Sequence, residues 1–429
     1  MIVQSPKHLS FAAAICSILT GCMTPGGTPA AAAEAGAKVP DRICLCVTET
    51  PSRSMAVSWR TGTAVNAVAE FAIATDGPGF QSSAARVLAT SQTLETDLGT
   101  FHHHEATFDK LNPATKYLYR VGDGSTWSEW SPFETASDKP APFSFIYFGD
   151  AQNDIKSHWS RVVRNAFRDA PRAAFMLHAG DLVNRANSDR EWGEWFYASG
   201  FIHRMIPAIA VPGNHEMQRG SAGKSLSRLW RPTFALPENG LAELPETTYS
   251  IDYQGVRFVC LNSNEEIEKQ TQWLDSVLSD APGWLIVSHH HPIYSAGQGR
   301  DNQSLRDQWQ PMYDKHGVDL VLQGHDHTYA RTGRIRHGHE HNLPEGARVQ
   351  DTDGTVYVVS VSGPKMYKLD SKPFMKSTAE NTQLFQVISI DGDKLTYRAC
   401  TATGRVYDQF ELMRGVHGKP NRLVEHDHN

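Results

Sequence analysis

The pattern of apolar and polar positions divides the chain into two regions. Between residues 40 and 137, short segments such as 54–60 (SMAVSWR) alternate, with Gly, Asp and Pro clusters between them. Alternation with a period of two indicates half-buried β-strands. From residue 142 onward, short apolar strands alternate with helical segments, beginning with a strand over 143–148 and a helix over 157–169. The pattern therefore predicts an all-β domain followed by an α/β domain.

Residues 1–22 have the pattern of an export signal. A weakly basic start precedes a short apolar run that cannot span a bilayer as a helix. The run ends in Leu-Thr-Gly-Cys22, which resembles the cleavage box of bacterial lipoproteins and implies lipidation of the Cys22 thiol. The alternative is an ordinary signal cut near residues 30–33. We expect an exported lipoprotein, periplasmic or at the cell surface, whose lipid anchor holds it to a membrane through a flexible linker over residues 23–39.

Composition and charge limit the classes of function. Apolar residues make up 40% and charged residues 21% of the 429 positions, as in soluble globular proteins with more than one domain. The formal net charge of −6 argues against an extended nucleic-acid surface. The cysteines beyond the signal are Cys44, Cys46, Cys260 and Cys400. They are buried thiols or, as export permits, disulfide-bonded. Their connectivity and the oligomeric state of the protein stay open.

The N-terminal all-β region carries one longer recognisable string. Residues 111–121 read LNPATKYLYRV, which resembles the loop and strand of fibronectin type III domains. This resemblance implies a fibronectin III-like β-sandwich over residues 40–137. The α/β domain then spans residues 142–412, and residues 413–429 form a tail.

Polar and metal-ligating side chains follow the apolar strands of the second region. In α/β sheets, active sites collect where strands end. Each of the segments is short, so the signal lies in their combination and order. They are Gly149-Asp150-Ala151-Gln152, Gly180-Asp181-Leu182-Val183-Asn184, Gly213-Asn214-His215-Glu216, Val287-Ser288-His289-His290 and Gly324-His325-Asp326-His327.

Taken together, these segments resemble the calcineurin-like metallophosphoesterases. With the β-sandwich in front, the chain is most similar to the purple acid phosphatase branch. The resemblance implies an α/β domain with a β-sandwich core flanked by helices, and two bound metal ions. Carried over motif by motif, Asp181 bridges the ions, one ion is held by Asp150 and His327, and the other by Asn214, His290 and His325.

Three further residues lie next to these ligands and are candidates for contact with substrate. His215 follows a ligand and is our candidate for the general acid that protonates the leaving alcohol; the alternative is a histidine that only orients phosphate. His291 either touches substrate or is simply exposed. The run Asp181-Leu182-Val183-Asn184-Arg185 resembles one in protein serine/threonine phosphatases, whose arginine grips phosphate, so Arg185 either binds substrate or is solvated.

The sequence departs from the purple branch at two positions. That branch has an iron-binding tyrosine where this chain has Asn184, and the wider superfamily has a histidine where this chain has Gln152. The first metal is therefore one donor short, or Gln152 or Asn184 supplies an oxygen. Oxygen and imidazole donors without thiolate suit divalent Zn, Mn or Fe. We expect two divalent ions and no ferric-tyrosinate colour.

The leading hypothesis is an exported phosphomonoesterase, acid phosphatase-like, that acts on small phosphate esters by attack of a metal-bound hydroxide. A phosphodiesterase acting on nucleotides, glycerophosphodiesters or lipid head groups is the alternative. A surface-binding lipoprotein with a vestigial metal site is a third hypothesis. The physiological substrate and the metal identities stay open at this point.

Overall fold

The computed structural model describes residues 37–221, 223–337, 347–349, 354–370, 372–415 and 421–426. The predicted signal, the lipidation site Cys22 and most of the predicted linker lie outside these residues. Within the described residues, none of the helices combines the length and apolar character needed to cross a bilayer.

The N-terminal region is a sandwich of two antiparallel sheets, as predicted. One sheet has the order β1-β2-β6-β5 and the other β4-β3-β7-β8. Large apolar side chains such as Trp59, Phe108 and Tyr119 fill the space between the sheets. The strands are β1 (Asp41–Cys46), β2 (Met55–Thr61), β3 (Val68–Ile73), β4 (Ala85–Leu88), β5 (Thr90–Thr96), β6 (Gly99–Phe108), β7 (Lys116–Gly122) and β8 (Ser131–Glu134).

The second region alternates strands and helices, and its strands form most of a sheet of 11 strands and all of a sheet of 8 strands. Its strands are β9 (Phe143–Phe148), β10 (Met176–His178), β11 (Ala208–Ala210), β12 (Met217–Gly220), β13 (Gly223–Leu226), β14 (Tyr249–Tyr253), β15 (Val256–Cys260), β16 (Trp284–Ser288), β17 (Leu320–Gln323), β18 (Tyr329–His337), β19 (Ala347–Val349), β20 (Thr355–Val359), β21 (Met375–Ala379), β22 (Leu384–Asp391), β23 (Lys394–Thr401), β24 (Val406–Met413) and β25 (Arg422–Glu425). Its helices are α1 (Ser160–Asp169), α2 (Asp189–Ser199), α3 (Trp230–Thr233), α4 (Ile267–Val277) and α5 (Gln303–His316).

The two sheets of this region face each other across an aromatic core. β9, β10 and β11 run parallel in one sheet, and β15, β16, β17 and β20 run parallel in the other. Phe145 and Phe175 of the first sheet pack edge-on against Phe258 of the second, with ring centroids 5.3 and 5.1 Å apart. On the outer face of the second sheet, α4 and α5 bury Leu274 and Trp309. The predicted β-sandwich core flanked by helices is confirmed.

The N-terminal sandwich and the α/β region share one sheet. β1 pairs in parallel with β11 at Cys46 and Ala208, which joins the sheets into one of 11 strands, ordered β25-β24-β23-β22-β9-β10-β11-β1-β2-β6-β5. The backbone N–H of Val47 also donates to the carbonyl of Ala208 at 3.2 Å. The sandwich is therefore continuous with the sheet that carries part of the predicted site.

Part of the region predicted as a tail, residues 413–429, forms a strand. Residues 422–425 form β25, which pairs antiparallel with β24 and extends the large sheet. Leu423 packs on the main core, and Glu425 forms an ion pair with Arg331 at 2.7 Å. Tertiary contacts, and not a local sequence pattern, thus define this strand. The cysteines at 44, 46, 260 and 400 are all buried free thiols.

Candidate active site

The six predicted metal ligands lie at the carboxyl ends of parallel strands in the two facing sheets. Asp150 follows β9, Asp181 follows β10 and Asn214 follows β11, all in the large sheet. His290 follows β16, and His325 and His327 follow β17 in the second sheet. Because these strand ends face one another across the core, residues far apart in sequence meet at one edge.

The structure brings these side chains together as two groups that share one carboxylate. The ligand atoms of Asp150, Asp181 and His327 lie within 4.8 Å of one another, and so do those of Asp181, His290 and His325. The Asn214 Oδ1 atom joins the second group, 3.3 Å from Nε2 of His290. This arrangement matches the division into two ligand sets, with Asp181 bridging, that the family resemblance implies.

Backbone carbonyls orient two of the histidines toward the site. His290 donates from Nδ1 to the Ala179 carbonyl at 2.8 Å, and His327 donates from Nδ1 to the Lys365 carbonyl at 3.0 Å. With Nδ1 engaged, the Nε2 atom of each ring is turned toward a carboxylate, 3.2 Å from Oδ2 of Asp181 for His290 and 3.3 Å from Oδ2 of Asp150 for His327. Such carbonyl partners commonly set the tautomer of metal-ligating histidine.

Three ligands adopt a backbone conformation that side chains disfavour. The φ angles are 53° at Asp181, 75° at His325 and 43° at His327, all in the left-handed region. Such conformations cost on the order of 1–3 kcal/mol each and collect at functional sites. Close packing adds a further constraint, since a Cβ atom on Gly213 would lie 2.1 Å from Oδ1 of Asp181.

Glu216 organises the site although the sequence suggested no role for it. Its buried carboxylate accepts hydrogen bonds from four backbone N–H groups in the loops that carry two ligands. These donors belong to Asp181, Leu182, Val183 and Gly213. Its place as the last residue of the Gly213-Asn214-His215-Glu216 segment is the sequence signal that could have indicated it.

Asp326 is a second such residue, placed between two ligands. Its buried carboxylate accepts hydrogen bonds from the Ser295 hydroxyl and the Arg300 guanidinium. The side chain therefore points away from the ligand groups and anchors the turn from which His325 and His327 project. A different direction for the middle side chain of the His325-Asp326-His327 run is consistent with this. The partners of Asp326 on the 295–300 loop could not be inferred from the sequence.

The buried charges of the site favour bound cations. Burial, reinforced by the neighbouring Asp181 carboxylate, raises the pKa of Asp150 to about 8. Burial opposes charge on His290, but the Asp181 and Asp150 carboxylates together raise its pKa to about 10. Asp150 Oδ2 is buried without a hydrogen-bond partner among the described residues. Two buried carboxylates surrounded by imidazole nitrogens fit a pair of metal ions, which would take the place of protons here.

Gln152 lies inside the first ligand group. It is fully buried, and its Nε2 lies 3.0 Å from both Oδ2 of Asp181 and Nε2 of His327. Its Oε1 is buried without a hydrogen-bond partner among the described residues. Turning the amide by half a rotation would direct this oxygen at the same two ligands, an orientation that a bound cation favours. Asn184, the other predicted replacement donor, offers its backbone carbonyl to His215.

The substrate-contact candidates occupy different surroundings. His215 donates from Nδ1 to the Asn184 carbonyl at 2.7 Å, and its Nε2 lies 4.0 Å from Oδ2 of Asp181. The His291 ring lies against that of His325, tilted by 52° with ring centroids 4.4 Å apart, so it borders the second ligand group.

The remaining candidates lie elsewhere. The Arg185 side chain is 68% exposed and pairs with Glu191 at 2.7 Å. Cys22 lies outside the described residues.

Comparison with known proteins gives the same two-part organisation. A purple acid phosphatase N-terminal domain model matches residues 40–135, and a calcineurin-like phosphoesterase model matches residues 143–329. Purple acid phosphatase 23 of Arabidopsis thaliana is 25% identical over 387 residues, covering 77% of this chain and 80% of that protein. Phosphoenolpyruvate phosphatase of Allium cepa is 26% identical over 307 residues, covering 67% of this chain and 62% of that protein.

A solved structure shares the fold across both regions. The purple acid phosphatase PPD1 from yellow lupin (Lupinus luteus) seeds superposes with a TM-score of 0.72 at 19% identity, covering 88% of this chain and 75% of that one. At this identity the likeness concerns the fold.

Proposed function

Since the chain joins a calcineurin-like phosphoesterase domain to a purple acid phosphatase N-terminal domain and is a metal-dependent phosphoesterase, we propose that it hydrolyses phosphate monoesters at two divalent metal ions. The observation that carries the proposal is the pair of ligand groups sharing Asp181. Paired sites of this kind serve in-line displacement at phosphorus.

The ligand sets would hold the ions as follows. Asp150, Asp181 and His327 hold the first ion together with the Gln152 carboxamide oxygen. Asp181, Asn214, His290 and His325 hold the second. Oxygen and imidazole nitrogen without thiolate favour divalent Zn, Mn or Fe. When bound, such ions activate a water molecule and neutralise the charge that develops on phosphate.

The absence of a tyrosine at position 184 supports the assignment of divalent ions. In the purple branch a phenolate at that position stabilises ferric iron, whereas Asn184 is neutral and its carbonyl engages His215. The expected product of purification is a colourless protein. A visible tyrosinate-to-iron absorption band would contradict this assignment.

His215 would supply the proton that the leaving group needs. As the ester P–O bond breaks and a water oxygen forms the new P–O bond, the leaving oxygen takes a proton from Nε2 of His215. The Asn184 carbonyl holds Nδ1, and the ring is partly open to solvent, which leaves Nε2 free to face a bound ester. His215→Ala is expected to lower turnover of an alkyl phosphate on the order of 100-fold or more. Full activity on that ester, with both metals retained, would exclude this role.

Cations beside the ligand groups favour a monoester over a diester. The Tyr367 ring packs on His327, with centroids 4.7 Å apart, and both Arg300 and Lys365 lie over this ring at 5.3 and 5.4 Å. A monoester dianion carries one more negative charge than a diester monoanion, so added positive charge stabilises it preferentially. The Asp326 carboxylate offsets part of the Arg300 charge, which leaves Lys365 as the main contributor.

One panel of assays tests the proposed reaction. p-Nitrophenyl phosphate and bis-p-nitrophenyl phosphate are compared with Mn, Zn and Fe across pH, with Asp181→Asn as the inactive reference. We expect the monoester to be the better substrate by kcat/KM. Preference for the diester would instead support the phosphodiesterase alternative. Absence of metal by mass spectrometry and of either activity would support a binding protein with a vestigial site.

We also propose that the protein is exported and lipid-anchored at Cys22. The sequence pattern that ends in Leu-Thr-Gly-Cys22 supports this location. Radiolabelled palmitate should be incorporated into the native protein and be absent from a Cys22→Ser variant. Equal labelling of both, or release of the unmodified protein as a soluble periplasmic form, would exclude the anchor.

A further inference from the structure

We propose that the N-terminal β-sandwich positions His215, through the first turn of α2, and is thus a working part of the catalytic site. The inference rests on the proposed role of His215 in protonating the leaving group. It concerns positioning, since none of the sandwich residues involved is assigned contact with substrate.

The first link is a buried carboxylate at the start of α2 that the sandwich holds. Asp189 is fully buried, and its side chain accepts hydrogen bonds from Arg42 in β1, from Arg60 in β2 at 2.9 Å and from Thr96 in β5 at 3.1 Å. Arg42 also donates to the Asp189 carbonyl at 3.0 Å. The Asp189 backbone N–H donates to Asp97 of the β5–β6 turn at 2.7 Å. Three sandwich strands and a turn therefore fix the position of this helix end.

The burial of these groups makes the link stiff. The side chains of Asp189 and Arg60 are both inaccessible to solvent, and Arg42 is only 7% exposed. Arg60 is held in turn by Asp41, with Nη2 to Oδ2 at 2.6 Å. A buried ion pair cannot separate without leaving an uncompensated charge, so the helix end cannot move independently of the sandwich.

The second link runs from α2 to the loop that precedes it. Two residues after Asp189, Glu191 accepts hydrogen bonds on Oε2 from the backbone N–H groups of Asn184 and Arg185, both at 2.8 Å. Its Oε1 accepts from Nε of Arg185 at 2.7 Å. Because both carboxylates project from the same helical turn, the position of Asp189 sets that of Glu191 and hence that of the Asn184 peptide.

The third link is the hydrogen bond that orients the imidazole. The Asn184 carbonyl accepts from Nδ1 of His215 at 2.7 Å, while the His215 backbone N–H donates to Oδ1 of Asp181 at 2.8 Å. The backbone bond fixes the residue, and the carbonyl fixes the rotation of its ring. A loosened Asn184 loop would leave His215 in place but let its ring turn away from the leaving oxygen. Small displacements of this kind can cost large factors in rate.

Two variants of the full chain break the link from opposite partners. Asp189→Asn removes the buried negative charge from α2, and Arg42→Met removes one sandwich donor. The latter keeps the Arg60 contact, so it remains informative if the former fails to fold. Arg86→Met is the matched control, because Arg86 forms an ion pair with Glu70 in the other sandwich sheet, remote from α2.

The measurement is the ratio of kcat on an alkyl phosphate to kcat on p-nitrophenyl phosphate, whose leaving group needs little protonation. We expect Asp189→Asn and Arg42→Met to lower this ratio about 10-fold or more, with KM and metal content unchanged, and Arg86→Met to leave it unchanged. Amide hydrogen exchange at residues 184–185 should rise in the first two variants only. In combination with His215→Ala, Asp189→Asn should add no further loss in the ratio.

Each outcome bears on a different statement. An unchanged ratio or unchanged hydrogen exchange in folded Asp189→Asn or Arg42→Met, when His215→Ala lowers the ratio, overturns the positioning role and leaves the proposed reaction intact. A His215→Ala enzyme that keeps the wild-type ratio overturns the role of His215 and, with it, this inference. An equal fall in all variants, including Arg86→Met, shows a general loss of structure and also overturns the inference.

Discussion

Replacing Glu216 by glutamine tests whether one buried carboxylate holds the metal site together. In the native structure Oε2 accepts N–H groups of Asp181 and Gly213, both at 2.8 Å. Oε1 accepts those of Leu182 at 2.8 Å and Val183 at 3.2 Å. Glutamine has the same shape but presents an NH2 group to one of these pairs. Two buried N–H groups therefore lose their acceptor.

The expected loss follows from the number of unsatisfied donors. Each buried polar group without its partner costs about 1–3 kcal/mol, so Glu216→Gln should lower the free energy of unfolding by about 2–6 kcal/mol. For a domain of this size, that corresponds to a fall in the unfolding midpoint of roughly 4–10 °C. In either orientation of the amide, the loop of residues 181–183 loses part of its anchor, so both ions should also bind more weakly.

Thermal unfolding with and without added Mn or Zn, and metal content by mass spectrometry, measure the two effects. Glu238→Gln is the control: Glu238 is 54% exposed, and its loss is expected to stay within about 0.5 kcal/mol. If Glu216→Gln unfolded within about 2 °C of the native protein and kept both ions, the carboxylate would not have the organising role that its hydrogen bonds indicate.

Three further changes have directions that the structure sets. Gly213→Ala would place a Cβ atom 2.1 Å from the shared carboxylate, so mass spectrometry should show lost metal, whereas Gly220→Ala, with its nearest neighbour at 3.8 Å, should retain it. Gln152→Leu should weaken the binding of one of the two ions about 10-fold in a calorimetric titration, and Gln152→Glu should restore that binding. Equal metal affinities of the two variants would exclude a ligand role for Gln152. Burial holds the pKa of His203 well below its usual value. Below pH about 6.5 the unfolded state therefore binds a proton that the folded state does not bind, so the free energy of unfolding falls as the pH drops. His203→Phe should move acid unfolding, followed by fluorescence, to lower pH, while His158→Phe on the surface should not.

The sequence placed each predicted metal ligand shortly after an apolar strand, and the resemblance to the metallophosphoesterases indicated which residues they are. Parallel strands end at a common edge, so a pattern local to each segment carries long-range information. Asp150 and His327 illustrate this, since Oδ2 of Asp150 lies 3.3 Å from Nε2 of His327 although the two residues are 177 positions apart. The family resemblance then supplied the division into two sets, which spacing alone does not contain.

The positioning residues were beyond sequence reasoning because their partners are set by tertiary packing. Glu216 was visible only as the last residue of a motif, with no indication that its carboxylate turns back to the Asp181 loop. In the sequence, Asp189 in a helix and Arg60 in a strand look like ordinary surface charges, yet both side chains are fully buried against each other. β25 was missed for the same reason, since its pairing with β24 is formed by a segment with weak intrinsic pattern.

The charge balance of the two ligand groups supports the proposal of divalent ions. Asp150 and Asp181 are the carboxylates of the two groups, and the other donors, imidazoles and carboxamides, are neutral. Two divalent ions would leave a net positive charge that attracts a phosphate dianion, and Lys365 adds to it. A trivalent ion would leave one more positive charge without the phenolate that compensates for it in the purple branch. The neutral side chain of Asn184 therefore supports the proposed divalent ions, while its backbone carbonyl, which any residue would provide, holds Nδ1 of His215.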